Sequence, residues 1–153
     1  MTGAVSHAQN LIRCRSVTPE EGGALRYLER VLSAAGFTCH WLSFSEPGTP
    51  SVDNLYARIG ARPPHVCFAG HTDVVPPGDE AAWRHPPFAG EIEGGVIFGR
   101  GAADMKGAVA ASLAAALQFL GARRDWAYPS FSCPSVPGQT HKDGCGSLRA
   151  NPQ

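Results

Sequence analysis

Val5, Ala8, Leu11 and Ile12 recur at intervals of three and four near the start of the chain, the spacing that keeps apolar side chains on one face of a helix. A second helix is better specified. Thr18 offers an N-cap, Pro19 suits the first helical position, and Glu21 stands where a capping box wants its acidic partner. Leu25, Leu28, Leu32 and Ala35 then form one stripe, and Gly36 provides the stop. The period changes to two at "FTCHWLSF", where Phe37, Cys39 and Trp41 alternate with Thr38, His40 and Leu42, predicting a strand. "EPGTPSVD" reads as a loop, "NLYARIG" as a second strand, and "HVCFAG" as a third that is apolar on both faces. Val74 to Gly95 is a long Pro/Gly-rich connection, functional or disordered, and "GVIFG" a short strand at its end. An Ala/Leu-rich buried helix follows over 106–120.

Apolar strands interleaved with helices predict an α/β fold with its sheet covered on both sides. After Arg124 the pattern is lost. Prolines at 129, 134, 137 and 152 and scattered serines leave no sustained period. Residues 1–124 therefore read as the folded part. Residues 125–153 read as an irregular tail, from a shifted reading frame or a disordered end.

Charge narrows the function classes. Lys+Arg and Asp+Glu number 13 each in 153 residues, so the chain has no basic footprint for nucleic acid or an anionic membrane. No uninterrupted apolar run reaches the roughly 20 residues of a membrane span, and the first residues are too polar for a secretory leader. Five cysteines without a C-x-x-C pair suit free thiols in a reducing, cytoplasmic setting.

Two stretches carry candidate chemistry. In "FAGHTDVVPPGD" the third strand ends on His71, Thr72 and Asp73. The carboxyl end of a strand in an open α/β sheet faces the usual ligand crevice, and residues i and i+2 of extended backbone share a side. His71 and Asp73 can then converge, with the carboxylate accepting from the imidazole as metal-bound histidines require. In "GRGAADMKG", Asp104 sits in a glycine-flanked turn before the last helix. Each stretch alone also has a plainer reading: a solvent-facing strand-end pair for the first, a helix-capping aspartate for the second.

Taken in order, "GHTDVVPPGD", Trp83, "PPF" at 86–88 and "GRGAADMKG" resemble the co-catalytic zinc deacylases and carboxypeptidases. "LIRCRSVTPEEGGAL" and "SEPGTPSVDNLYARIG" extend the likeness over about residues 4–124. The resemblance implies a partial three-layer catalytic domain with a mixed or parallel sheet. His71 and Asp104 would be metal ligands, with Asp104 bridging two metals, and Asp73 would be the catalytic residue that orients the histidine. The Asp104–Met105 peptide is often cis in the family. Two zinc ions about 3.5–4 Å apart, with cobalt as a substitute, would activate water and polarise an amide carbonyl. The implied substrate is a small succinylated diamino acid, N-succinyl-L,L-2,6-diaminopimelate, split to succinate and L,L-diaminopimelate in lysine biosynthesis. A sibling deacylase, such as an acetylornithine deacetylase or a dipeptidase, and a non-catalytic remnant are the alternatives.

The chain also departs from the family pattern. Its last glutamate is Glu93, and the acids after Asp104 are Asp125 and Asp143. The Glu-Glu pair that supplies the general base and a metal ligand is therefore missing, as is the dimerisation domain of the homodimeric family. His141, in the tail, reads as a solvated loop histidine rather than a substitute ligand. The expectation is an inactive fragment of an enzyme.

Overall fold

The computed structural model describes residues 3–61, 65–122 and 130–133. Helix α1 (Ala4–Arg13) and helix α2 (Ala24–Ala34) precede strands β1 (Thr38–Phe44), β2 (Val52–Arg58) and β3 (Cys67–Ala69). A short hairpin, β4 (Glu91–Glu93) and β5 (Val96–Phe98), leads to α3 (Gly107–Ala122), and β6 (Ser130–Cys133) ends the described chain. The sheet is mixed, in the order β1-β2-β6-β3. β2 is antiparallel to β1, from Thr38 opposite Arg58 to Phe44 opposite Val52, and antiparallel to β6, while β3 is parallel to β6. The α/β class expected from the sequence is thus present.

Helix α2 begins later than the capping signals imply. Its N-cap is Gly23, without a side-chain cap, because Thr18 turns away to donate to Asp73. Glu21 still serves the first turn by accepting from the Leu25 amide at 3.1 Å. The predicted stop is kept. Gly36, at φ 92°, donates to the Ser33 carbonyl, and Phe37 to that of Leu32, the paired bonds that close a helix on a left-handed residue.

β6 falls inside the segment read as irregular. Four residues flanked by Pro129 and Pro134 are too short for a periodic signal, and the neighbouring strands β2 and β3 supply the pairing that makes them a strand. The rest of 125–153, with His141 and the reading-frame expectation, lies outside the described residues.

One apolar cluster organises these elements. Leu11 of α1, Leu25, Leu28 and Leu32 of α2, Leu55 and Ala57 of β2, and Val109, Ala110 and Leu113 of α3 are buried together. Among the described residues the cover is one-sided at β3, since Cys67 and Ala69 are exposed and only Phe68 packs on the cluster. The long connection after β3 is ordered. Trp83 donates to the Pro77 carbonyl, and Gln9 and Arg13 of α1 hold the Gly90 and Ala89 carbonyls. His85, missed in the sequence, stacks on Phe98 and lies within 2.6 Å of Glu91 and 3.0 Å of Glu93.

The segment Ala102–Ala122 is long and apolar enough to cross a membrane by composition alone. Here Val109, Ala110, Leu113, Ala114 and Ala116 are buried in the protein, which makes it a core helix. Lys106, at its start, is fully buried with its ammonium donating to the Cys14 carbonyl at 2.7 Å. Burial lowers its pKa from 10.5 to about 8, partly offset by Cys14 and Asp73. Burial likewise raises the Cys14 thiol, although Lys106 opposes it.

Two outcomes follow for stability. Leu28→Ala empties a site with no exposure and is expected to cost about 2–5 kcal/mol by urea denaturation. Lys106 produces a pH signature. Below about pH 8 both folded and unfolded chains hold its proton; between about 8 and 10.5 the folded chain releases it first. The unfolded state then binds more protons, so the stability of wild type relative to Lys106→Met rises with pH across that window. Denaturation midpoints of the two proteins at pH 7.5 and 9.5 check this.

Candidate metal centre

His71 stands just past the end of β3, where the chain leaves the sheet. Gly70 allows β3 to come this close to the turn before α3, because a Cβ there would lie 3.0 Å from Met105 Cε and 3.1 Å from Val109 Cγ2. That turn, Ala102–Lys106, has non-helical backbone at Asp104 and Met105, and the Asp104–Met105 peptide is cis. Strand end and turn thus meet, bringing together residues 33 apart in sequence: His71 Nε2 lies 3.3 Å from Asp104 Oδ1.

The other side of the imidazole bears on its tautomer. His71 Nδ1 is 3.0 Å from the Asp73 carbonyl oxygen and 3.4 Å from Asp73 Oδ1. Both are acceptors, so this side of the ring suits a proton on Nδ1. Asp73 Oδ1 is buried with no hydrogen-bond partner, while Oδ2 accepts from the Thr18 hydroxyl at 2.7 Å. The ring is thus bonded to the Asp73 backbone carbonyl, with the Thr18-anchored carboxylate beside it.

On the other side Nε2 faces a carboxylate oxygen of Asp104, an approach that either an Nε2–H···O hydrogen bond or a metal ion between the two atoms would satisfy. The spacing fits a metal. Ligands about 2.0–2.2 Å from a tetrahedral ion stand about 3.3–3.6 Å apart. Access fits as well, since the Asp104 side chain is 89% exposed and that of His71 38%. The donor set is incomplete: no group of three or more His, Cys, Asp or Glu able to hold a metal exists among the described residues.

The three sequence candidates are therefore adjacent, His71 between Asp73 and Asp104. Reading the sequence missed what supports them. Ser16, fully buried, donates to the Thr72 carbonyl at 2.6 Å. Thr18 holds Asp73, and Lys106 is a neighbouring charge to that aspartate. Thr18 and Ser16 lie about 55 residues from their partners, and no local pattern signals such a pairing.

Comparison with known proteins follows the same residues. Positions 67–126 match the family described as "Peptidase family M20/M25/M40". The chain is 56% identical over 147 residues to a succinyl-diaminopimelate desuccinylase of Rhodopseudomonas palustris (strain BisB18), covering 96% of this chain and 34% of that protein. It is 62% identical over 120 residues to the desuccinylase of Bradyrhizobium sp. (strain ORS 278), covering 78% and 31%. In fold it resembles human carnosine dipeptidase 1, with a TM-score of 0.71 at 23% identity over 86% of this chain and 31% of that one. The chain thus spans about a third of the length of the curated relatives it matches. Over residues 67–126 the chain matches the M20/M25/M40 peptidase family, and over most of its length it is similar to proteins named succinyl-diaminopimelate desuccinylase.

Proposed function

We propose that these residues form one side of the active centre of a succinyl-diaminopimelate desuccinylase, a cytoplasmic enzyme that hydrolyses N-succinyl-L,L-2,6-diaminopimelate to succinate and L,L-diaminopimelate. The observation that carries the reading is the His71 Nε2–Asp104 Oδ1 approach, with Asp73 on the opposite ring nitrogen. His71 and Asp104 would hold zinc, or cobalt in its place. Such a metal would polarise the amide carbonyl and lower the pKa of a water so that it could attack as hydroxide. Asp73 keeps the proton on Nδ1, which preserves Nε2 as a ligand and strengthens its basicity. Identities of 52–62% to proteins of that name support this substrate. The dipeptidase likeness, at 23% identity, is one of fold.

The proton-transferring glutamate and the remaining metal ligands come from outside this ligand set, as do the contacts that pair two subunits in the family. Zinc takes three or four protein ligands, and His71 with Asp104 provides two. Purified 153-residue chain is accordingly expected to show no succinyl-diaminopimelate hydrolysis in a succinate-release assay.

A chimaera tests the function directly. Residues 4–122 of this chain replace the matching segment of the Rhodopseudomonas palustris desuccinylase. The chimaera is expected to hydrolyse the succinylated substrate. Asp73→Asn in it is expected to lower kcat about 10–100-fold, and His71→Ala or Asp104→Ala to lower it further. A folded, zinc-loaded chimaera without turnover overturns the reading.

A further inference from the structure

The short segment between α1 and the start of α2, Cys14–Thr18, touches both halves of the candidate centre. On the His71 side it makes several bonds. The Ser16 hydroxyl donates to the Thr72 carbonyl at 2.6 Å, and the Thr18 hydroxyl to Asp73 Oδ2 at 2.7 Å. The Val74 amide donates to the Ser16 carbonyl at 2.8 Å, and the Thr18 amide to the Val74 carbonyl at 3.1 Å. Val17 and Val74 form an isolated parallel bridge there. On the Asp104 side it makes one bond, from the buried ammonium of Lys106 to the Cys14 carbonyl at 2.7 Å. That carbonyl belongs to the C-cap of α1, the end of a helix that favours a cation. The Lys106 amide in turn closes the turn by donating to the Gly101 carbonyl at 2.9 Å.

Resting on the metal reading above, we propose that Cys14–Thr18 is a positioning strap that sets the separation of His71 and Asp104, with Thr18 and Lys106 as its two positioning residues. Neither residue touches the metal or substrate. His71 lies at a strand end and Asp104 in an irregular turn, and among the described residues no backbone hydrogen bond joins the two. The strap supplies that connection through buried bonds, where a lost partner leaves an unsatisfied group rather than a solvated one. A metal whose ligands must stand about 3.3–3.6 Å apart senses small errors in this spacing, so a break at either end of the strap weakens binding without removing a ligand.

The chimaera described above, which completes the donor set around residues 4–122, is titrated with Zn2+ in competition with a chromophoric chelator. Thr18→Val, which removes only the hydroxyl, and Lys106→Met are each expected to raise the apparent zinc Kd at least fivefold. Lys106→Gln, which keeps an N–H donor for the Cys14 carbonyl, recovers most of the loss. Leu28→Ala, a core variant away from the strap, stays within twofold of wild type. Should Lys106→Met not fold, Lys106→Gln and Thr18→Val still decide the matter. Unchanged affinity in Thr18→Val and Lys106→Met, alongside loss of binding in His71→Ala, overturns the strap alone. Equal weakening by Leu28→Ala overturns it too, because the effect is then one of general stability. If His71→Ala leaves the titration unchanged, the metal reading fails and the strap with it.

Discussion

Where α1 ends, several polar groups are largely shut away from water, and they find partners among themselves, one Asp73 oxygen excepted. The Lys106 ammonium, the Cys14 and Thr72 carbonyls, the Ser16 hydroxyl and the Asp73 carboxylate all meet around one short segment. Buried charge and buried backbone each cost several kcal/mol if left unpaired, so this set tolerates few alternative arrangements. The positions of β3's end and of the turn before α3 follow from it. So does the approach of His71 to Asp104.

That arrangement explains why the apolar cluster and the polar centre are neighbours rather than separate features. Val109 of α3 is buried with Leu11 and Leu25, and its side chain also lies beside Gly70, one residue before His71. Packing of α3 against α1 therefore brings Asp104, three residues before α3, to the strand end. Core burial provides the bulk of the free energy, while the polar bonds choose one geometry among those the core would accept. Among the described residues Cys67 and Ala69 of β3 are exposed.

The two aspartates beside His71 stand in contrasting environments, which suit the two roles proposed for them. Asp73, 13% exposed, is held by Thr18 and faces the imidazole. Asp104, 89% exposed, is open to an ion on one side and to His71 on the other. A residue that must keep a ring in one tautomer gains from enclosure, where its hydrogen bonds are strong. A residue that must bridge to incoming metal and substrate needs access.

Much of this was written into local sequence. Periods of three to four and of two marked α1, α2, β1 and β2, because side-chain spacing on a helix face or a strand face depends on near neighbours alone. The order of "GHTDVVPPGD" and "GRGAADMKG" marked the candidate ligands, since a strand end and a glycine-flanked turn are local structures too. The tertiary structure decided the rest. It took Thr18 from the cap of α2 and gave it to Asp73, buried Lys106 under the end of α1, and made Ser130–Cys133 a strand by pairing them between β2 and β3. Each of these depends on partners tens of residues away. No periodicity along the chain carries that information, because the deciding energy is that of a contact formed only once distant segments have met.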